Sequence, residues 1–155
     1  MPNRRQKWDL RFLSLAKEVA SWSKDPSTKV GAVLVDDNRR IISTGYNGFP
    51  RGVEDLEARY NHRPTKYSLV VHAEANALLN SVVLPRGGTL YCTLHPCEEC
   101  SKLIVQAGVT RIVVPEESYE KRLQQLKARG AEEQKLNVEL ADTILSEGGV
   151  FVDKV

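Results

Sequence analysis

The sequence is poor in cysteine and has no long apolar segment. Only three of its 155 residues are cysteines, which favours a reducing intracellular environment over a disulfide-stabilised secreted domain. Arg4, Arg5 and Lys7 are not followed by an apolar stretch of the kind found in secretory signals, and no apolar run approaches the length of a membrane span. We therefore expect a cytoplasmic protein that does not contact a membrane.

The sequence also lacks a large excess of positive or of negative charge. The 22 lysines and arginines exceed the 20 acidic residues by two, which gives a net charge of +2 and a pI near 8.4. This balance permits a phosphorylated substrate but does not indicate a nucleic-acid partner. With 41% hydrophobic and 27% charged residues, the composition is typical of a soluble globular protein, and the chain is long enough for one sizeable core. We predict a single domain over 1–155.

Alternating helix-like and strand-like segments predict an α/β fold. An apolar period near 3.6 indicates a first helix over 8–22, and β-branched runs at 30–35 and 41–44 around a polar turn indicate an antiparallel hairpin. Two successive β-α-β passages follow, which predict parallel strands with helices packed on the sheet. The other predicted elements are a polar surface insertion over 54–67 with a short helix near 55–60, helices from 73 and over 97–106, strands over 89–93, 111–114 and 150–152, and a charged helical segment over 116–145 interrupted at Gly130.

Two short motifs supply side chains that bind metals. H-x-E at His72 and Glu74, and P-C-x-x-C at Cys97 and Cys100, contribute one imidazole, one carboxylate and two thiolates. Zinc favours tetrahedral sites of nitrogen and sulfur ligands, and a catalytic zinc keeps one position open for water. Three ligands, His72, Cys97 and Cys100, with Glu74 as an unbound carboxylate nearby, therefore fit a catalytic zinc site better than a structural one.

The spacing of these residues constrains where the metal can lie. Residues two apart on a helix point to nearly opposite sides, so His72 and Glu74 can share a target only beyond the helix N-terminus, where first-turn side chains converge. Cys97 and Cys100 lie on one face and begin a second helix, with Pro96 as an allowed first residue. The positive ends of two helix dipoles are thus predicted to point at the metal.

Other interpretations of these residues stay open. C-x-x-C alone is also typical of structural zinc and of redox motifs. A binding module with structural zinc would need a fourth ligand, whereas Cys92, in a strand-like run, is expected to be a buried structural thiol. His62 has no cysteine or histidine close by in the sequence and is predicted to be a surface residue. The segment 45–52, with three glycines and a proline, is on composition alone a turn-rich exit from the second strand.

The motifs occur in an order that resembles a known family. S-K-D-P-S-T-K-V-G-A at 23–32, G-Y-N-G-F-P at 45–50, H-A-E at 72–74 and P-C-E-E-C at 96–100 follow one another. Over residues 8–120 the sequence resembles the deoxycytidylate (dCMP) deaminases of the cytidine-deaminase-like zinc superfamily. The resemblance implies a three-layer α/β/α fold with a mixed, roughly five-stranded sheet.

The resemblance also implies an activity: zinc-dependent hydrolysis of dCMP to dUMP and ammonia, which supplies thymidylate synthesis. Zinc would make hydroxide available near neutral pH, and Glu74 would carry protons to the ring nitrogen and the departing amine. The residues implied to contact the substrate are Val30 against the base, Asn47 at the sugar, the Ala73 backbone N–H at the pyrimidine carbonyl and Tyr119 against the nucleotide. The cations that bind the 5′-phosphate are left open.

By the same resemblance the chain forms a homohexamer regulated by nucleotides. The segment 45–52 would border a second nucleotide site, where dCTP with Mg²⁺ activates and dTTP inhibits, and its candidate residues are Gly45, Tyr46, Gly48 and Arg51. Deamination of dCTP as well as dCMP stays open. So does a tRNA or other nucleic-acid deaminase, which shares the chemistry but usually has a more basic surface than a net charge of +2 indicates.

Overall fold

The computed structural model describes residues 1–127 and 131–155, which form five strands and seven helices. The strands are β1 (Gly31–Val35), β2 (Ile41–Tyr46), β3 (Thr89–Cys92), β4 (Arg111–Val114) and β5 (Phe151–Lys154). The helices are α1 (Arg4–Ala20), α2 (Glu57–Asn61), α3 (Arg63–Leu69), α4 (Ala73–Asn80), α5 (Glu98–Gln106), α6 (Ser118–Lys127) and α7 (Ala131–Glu147). Among the described helices, none is long and apolar enough to cross a membrane.

The strands form one mixed sheet in the order β2-β1-β3-β4-β5. β1 is antiparallel to both of its neighbours, with Gly31 opposite Tyr46 of β2 and Ala32 opposite Cys92 of β3. β3, β4 and β5 are parallel to one another. β2 therefore points in the same direction as β3, although β1 lies between them. The predicted hairpin and the mixed five-stranded sheet are both confirmed.

Helices cover both faces of the sheet, because the side chains of each strand alternate between the faces. On one face, Val33 and Val35 of β1 pack with Phe12 of α1. On the other face, Ala32 and Leu34 join a larger cluster that includes residues of α4, α5 and α7. Complete burial of a valine or leucine stabilises the fold by about 1.5–3 kcal/mol. The three-layer α/β/α arrangement is therefore confirmed.

Helix α1 begins earlier than the apolar period predicts, at Arg4. The Oδ1 atom of Asn3 accepts a hydrogen bond from the Gln6 backbone N–H (3.0 Å), and the Gln6 side chain accepts one from the Asn3 backbone N–H (2.9 Å). This reciprocal cap satisfies two donors that a helix start otherwise leaves without partners. The side chains of the first turn are polar, so the spacing of apolar residues does not predict that the helix begins there.

The polar insertion over 54–67 lies at the surface, as its composition indicates, with most of its residues exposed. It folds into two short helices, α2 and α3, and buries Tyr60 and Lys66, which are 6% and 8% exposed. The ring of Tyr60 stacks on that of Phe49, with the centroids 4.1 Å apart. The prediction of a single helix near 55–60 is therefore wrong in extent, because charged residues outnumber the few that anchor the segment.

Strand β2 runs further than predicted, through Tyr46, and takes in the first two residues of the predicted 45–52 loop. Glycine is required at position 45, because a Cβ atom there would lie 2.3 Å from a backbone nitrogen of α4. On the outer edge of β2, the side-chain amides of Asn76 and Asn80 donate hydrogen bonds to the carbonyl oxygens of Tyr46 (2.8 Å) and Thr44 (2.9 Å). These contacts hold α4 against β2.

The C-terminal third of the chain completes the sheet and covers one of its faces. α6 and α7 precede and follow Gly130, and the interruption predicted there lies outside the described residues. α7 packs against α5, and its Leu145 is 1% exposed in the core. The last strand, predicted over 150–152, begins one residue later and extends through Lys154.

Candidate metal centre and substrate cavity

Three side chains converge at the N-termini of α4 and α5. The Nδ1 atom of His72 lies 3.4 Å from the Sγ atom of Cys97 and 3.4 Å from that of Cys100. Within the described parts of the chain, these residues form a group whose donor atoms all lie within 4.8 Å of one another. One imidazole nitrogen and two sulfur atoms at this separation fit the tetrahedral coordination of Zn²⁺, with the fourth position left for another ligand.

Helix caps place these donors. His72 is the N-cap of α4 and Cys97 is the N-cap of α5, both with extended backbones, and Cys100 follows in the first turn of α5. The Cys97 sulfur also accepts a hydrogen bond from the Cys100 backbone N–H at 3.4 Å. As the spacing predicts, the shared target lies beyond two helix N-termini, where the positive dipole ends favour thiolates.

The pKa values of the two thiols and of the imidazole depend on one another. The hydrogen bond from Cys100 lowers the pKa of Cys97 against the effect of burial, and His72 adds to the lowering. In return, the hydrogen bond with Cys97 and the burial of the site raise the pKa of Cys100. The hydrogen bond with Cys97 also raises the pKa of His72, which burial opposes. One thiolate therefore forms readily, and a bound divalent cation would favour ionisation of both thiols.

Glu74 lies beside this group without belonging to it. The residue is in the first turn of α4 and only 4% exposed, and its Oε2 atom lies 3.7 Å from the Sγ atom of Cys100. A carboxylate held this close to a metal site can take a proton from water and pass it to a neighbouring molecule. The arrangement is that expected of a general acid and base rather than of a fourth ligand.

A cavity of about 510 Å³ opens onto these side chains. Its volume falls in the range of about 300–1,000 Å³ that small-molecule sites occupy. His72, Glu74 and Cys97 line it together with the 25–28 segment and side chains of α2, α3 and α6. The metal group and a space for a nucleotide-sized molecule are therefore contiguous.

Three of the four predicted substrate contacts, Val30, Asn47 and Ala73, line this cavity. Ala73 contributes the first N–H of α4, which has no acceptor within the helix. Asn47 is 6% exposed: its Oδ1 atom accepts a hydrogen bond from the Val30 N–H (2.8 Å), and its Nδ2 atom donates to the Thr28 carbonyl oxygen (2.9 Å). The Asn47 amide thus holds the backbone beside the cavity, a role that the resemblance did not imply.

The fourth predicted contact, Tyr119, does not line the cavity. Its ring lies edge-on to that of the buried His95 with centroids 5.1 Å apart, and the Lys154 ammonium lies 4.5 Å from its centroid. The Nε2 atom of His95 is in turn 2.9 Å from Asp142 of α7. Because these contacts engage the ring, the geometry does not support the predicted contact with the nucleotide. Arg122, one turn further along α6, lines the cavity instead.

The four residues predicted for a second nucleotide site lie outside the cavity lining. They are Gly45, Tyr46, Gly48 and Arg51. Gly48 is linked to the metal site, because its N–H and carbonyl group pair with those of Val71 (3.1 and 2.8 Å), the residue before His72. Arg51 is exposed and donates to the Asn80 side chain of α4 at 3.3 Å.

The cationic side chains of the cavity were not predicted from the sequence. Arg63 and Lys66 of α3 and Arg122 of α6 all line it. Lys66 is paired with Asp25, whereas neither arginine forms an ion pair with the side chains that the structure describes, those of residues 1–125 and 136–155. The three-residue spacing of Arg63 and Lys66 is compatible with a shared helix face, but the charged composition of the segment predicts a solvated insertion.

Two simpler predictions are confirmed. His62 is exposed, and its Nδ1 atom lies 2.8 Å from the Thr65 hydroxyl oxygen. Cys92 is fully buried in β3, and burial raises the pKa of its thiol. It is therefore a structural thiol.

Zinc-dependent nucleobase deaminases hold their metal with a histidine and two cysteines, or with three cysteines, and keep a glutamate beside it as acid and base. The fold and the site place this protein in that class. The chain belongs to the family described as the cytidine and deoxycytidylate deaminase zinc-binding region, which matches residues 6–116.

Individual relatives extend this likeness. An uncharacterized deaminase of Aliivibrio fischeri is 44% identical over 112 residues, covering 72% of this chain and 75% of that protein. A probable deoxycytidylate deaminase of Drosophila melanogaster is 42% identical over 123 residues, covering 72% of this chain and 61% of that protein. The crystal structure of a dCMP deaminase from cyanophage S-TIM5 in complex with dCMP and dUMP is similar over 100% of both chains, with a TM-score of 0.69 and 26% identity.

Proposed function

We propose that this protein deaminates dCMP by hydrolysis, giving dUMP and ammonia. The observation that carries the proposal is the position of the buried Glu74 beside the group of His72, Cys97 and Cys100, in a cavity that Arg63 and Arg122 also line. The dCMP deaminases among the relatives support the choice of substrate. A cavity with these side chains can bind both the pyrimidine ring and the phosphate group of one nucleotide.

His72, Cys97 and Cys100 are the residues that would hold a zinc ion. When bound, zinc lowers the pKa of a water molecule, so that hydroxide is available near neutral pH. Two thiolates reduce the net charge of the site, and the N-termini of α4 and α5 offset part of this loss because their positive dipole ends face it.

Glu74 moves protons in both directions. Its carboxylate takes one proton from the attacking water and delivers it to N3 of the pyrimidine, while the water oxygen adds to C4. The remaining hydroxyl proton follows the same route to the amino group. The C4–N4 bond then breaks, ammonia leaves, and the C4 carbonyl group of dUMP forms.

The inner lining orients the nucleoside. The N–H of Ala73, the first of α4, donates to the pyrimidine carbonyl group, and Val30 packs against the base. Asn47 already accepts one hydrogen bond at Oδ1, but an amide oxygen has two lone pairs. A sugar hydroxyl group can therefore donate to the same atom without disturbing the backbone that Asn47 holds.

Arg63 and Arg122 bind the 5′-phosphate in this proposal. They come from separate elements, α3 and α6, and line one cavity without an acidic partner among the described residues. Guanidinium groups bind phosphate through paired, charge-assisted hydrogen bonds. A nucleoside, which lacks the phosphate, would leave both cations without this interaction.

The proposal includes regulation within a homohexamer, with dCTP and Mg²⁺ activating and dTTP inhibiting. The contact that supports it is the backbone pairing of Gly48 with Val71, directly before the metal ligand His72. An effector that displaces the 45–52 segment would displace this neighbour of the metal site as well. Production of dUMP for thymidylate synthesis follows from the same activity.

The experiment that tests the function compares ammonia release from dCMP, dCTP, deoxycytidine and an adenosine-bearing tRNA loop, with zinc-loaded protein. We expect the highest kcat/KM for dCMP and a much lower value for deoxycytidine. Release of ammonia from dCTP at a similar rate would extend the substrate range. Release from the tRNA loop alone would overturn the proposal.

A further inference from the structure

A buried ion pair forms one wall of the cavity. The Nζ atom of Lys66 lies 2.8 Å from each carboxylate oxygen of Asp25 and 2.7 Å from the Ser27 hydroxyl oxygen. Lys66 and Asp25 are 8% and 2% exposed, and both residues line the cavity. The pair joins α3, from the insertion, to the segment that precedes β1.

Asp25 in turn organises that segment. Its Oδ1 atom accepts hydrogen bonds from the backbone N–H groups of Ser27 (2.9 Å) and Thr28 (3.2 Å). Thr28 is also held by Asn47, whose other side-chain atom binds the Val30 N–H. One chain of hydrogen bonds therefore runs from Lys66 to the residue that packs against the base.

We propose that Lys66 is a positioning residue: through Asp25 it holds the 25–30 segment in the shape that receives the pyrimidine and sugar, and it does not bind the phosphate. This inference rests on the proposed function. It assigns the insertion a part in the site, because without α3 the Asp25 carboxylate would be buried with no cation.

The physical reason is the cost of an uncompensated buried charge. Burial alone would raise the pKa of Asp25, but hydrogen bonds from Lys66, Ser27 and Thr28 outweigh it and hold that pKa below its ordinary value of 3.8. Without the ammonium group, the carboxylate must either take up a proton or turn towards water. Either change loosens the backbone N–H groups that it holds.

Lys66 differs from the two arginines in what it already binds. Its ammonium group donates to Asp25 and to Ser27, which neutralises its charge locally. Arg63 and Arg122 have no such partner among the described residues. Loss of Lys66 should therefore affect nucleotide and nucleoside alike, whereas loss of an arginine should affect only the nucleotide.

The test compares Lys66→Met with Lys24→Met. Lys24 forms a similarly short ion pair with Asp55 (2.9 Å, against 2.8 Å for Lys66 and Asp25), but its side chain is 70% exposed, so the control removes the same chemistry at the surface. We expect Lys66→Met to raise KM for dCMP and for deoxycytidine by the same factor, about tenfold or more, because small misplacements of a bound substrate are costly. We expect kcat to change less, and Lys24→Met to resemble the wild type.

Hydrogen exchange provides a readout that does not depend on turnover. The N–H groups of Ser27, Thr28 and Val30 should exchange at least about tenfold faster in Lys66→Met than in Lys24→Met, because their side-chain acceptors have loosened. If Lys66→Met does not fold, Asp25→Asn/Lys66→Met removes both charges and leaves no buried charge without a partner. A neutral amide oxygen accepts hydrogen bonds less strongly than a carboxylate, so the N–H groups of Ser27 and Thr28 should still exchange faster than in Lys24→Met, by a smaller factor than in Lys66→Met, and KM should still rise equally for dCMP and deoxycytidine.

Two results would overturn the inference. A rise in KM confined to dCMP would make Lys66 a phosphate ligand, and unchanged exchange in a folded variant would leave it without a positioning role. A wild-type protein that deaminates neither substrate would instead refute the proposed function, while the exchange data would still decide the role of Lys66.

Discussion

Arg111 donates two hydrogen bonds of 2.8 Å to the two carboxylate oxygens of Asp9, and these residues are 102 positions apart in the sequence. The pair joins α1 to β4 on the face of the sheet opposite the cavity. Tyr91 of β3 donates to the same carboxylate at 2.8 Å, and Asp153 of β5 accepts from Arg111 at 2.7 Å. None of these four residues lines the cavity, so the network should support folding rather than chemistry.

We predict that Asp9→Asn lowers the free energy of unfolding by about 3 kcal/mol, because it leaves a largely buried guanidinium group with a weaker partner. This loss lies at the low end of the range that is usual when one partner of a buried ion pair is removed, because Asp153 still pairs with Arg111. Urea unfolding of zinc-loaded protein measures the difference. Asp37→Asn, an exposed substitution in the hairpin turn, is the control and should change stability by less than about 0.5 kcal/mol. Equal effects of the two substitutions would contradict the prediction.

The pH dependence of this difference has a definite sign. Burial opposes ionisation of Asp9, but the hydrogen bonds from Arg111 and Tyr91 outweigh it and hold the pKa of Asp9 below its ordinary value of 3.8. A carboxylate whose pKa is lower in the folded state contributes its full stability above the unfolded pKa and loses it as pH falls through the folded one. The difference in the free energy of unfolding between wild type and Asp9→Asn should therefore stay constant from about pH 7 to pH 5 and become smaller below about pH 4.

The second prediction concerns the metal. Purified protein should contain one zinc ion per chain, and Cys97→Ser or Cys100→Ser should lower that content sharply, because a hydroxyl group is a much poorer ligand than a thiolate. The third cysteine is the matched control: Cys92→Ala removes a buried thiol outside the metal group and should retain zinc. Elemental analysis decides between these outcomes. Full zinc content in both serine variants would refute the ligand assignment.

The third prediction separates Glu74 from the ligands. Glu74→Gln keeps the shape of the side chain and removes its basicity, so the protein should stay folded and bind zinc normally. Turnover should fall by at least about 100-fold, which is the usual scale for a general acid and base. Zinc content and ammonia release are measured on the same sample. Loss of zinc together with activity would instead indicate that Glu74 is a ligand.

The parts of the site that the sequence predicts best are those governed by local spacing. His72 and Glu74 are two residues apart, and Cys97 and Cys100 are three apart, so helix geometry alone places their common target beyond two N-termini. The continuous apolar run at 30–35 likewise predicts a strand, and every residue of β1 is buried. The fold class follows from such patterns together with the order of the elements.

Long-range pairing explains what the sequence did not predict. Lys66 and Asp25 are 41 residues apart, and nothing in the local pattern of either indicates that they meet in the cavity wall. Tyr119 is the opposite case: the resemblance implies a contact with the nucleotide, whereas the ring contacts His95 and Lys154 and does not line the cavity. Arg122 was missed because the charged α6 segment has no feature that distinguishes a cavity residue from a solvated one.

The fourth prediction concerns the phosphate. Arg63→Ala and Arg122→Ala should each raise KM for dCMP by about 10- to 100-fold, which corresponds to about 1.5–3 kcal/mol for a hydrogen bond to a charged group. KM for deoxycytidine should hardly change. Arg59→Ala, in the neighbouring α2, is the control because Arg59 does not line the cavity. Steady-state kinetics with dCMP and with deoxycytidine test this prediction. A similar rise in KM for the two substrates would show that the arginines shape the cavity without binding phosphate.

The fifth prediction concerns regulation and depends on the pairing of Gly48 with Val71. We expect sigmoidal kinetics with dCMP that become hyperbolic with dCTP and Mg²⁺, and inhibition by dTTP, because effectors that favour different positions of the 45–52 segment would bias the neighbouring His72. A Cβ atom at position 48 meets no other atom within 4 Å, so Gly48→Ala should leave the fold and the zinc intact while it restricts the backbone.

Both Gly48→Ala and Arg51→Ala should therefore reduce the response to dCTP and dTTP more than they reduce the activity at saturating dCMP. Arg51 makes one hydrogen bond of 3.3 Å at an exposed position, so its removal should cost little stability. Leu10→Ala, an exposed change on α1 at the opposite face of the sheet, should leave the response unchanged. Rates measured across a range of dCMP concentrations with and without each triphosphate test this expectation. Hyperbolic kinetics that neither triphosphate alters would show that the 45–52 segment serves only to hold α4 and the cavity wall.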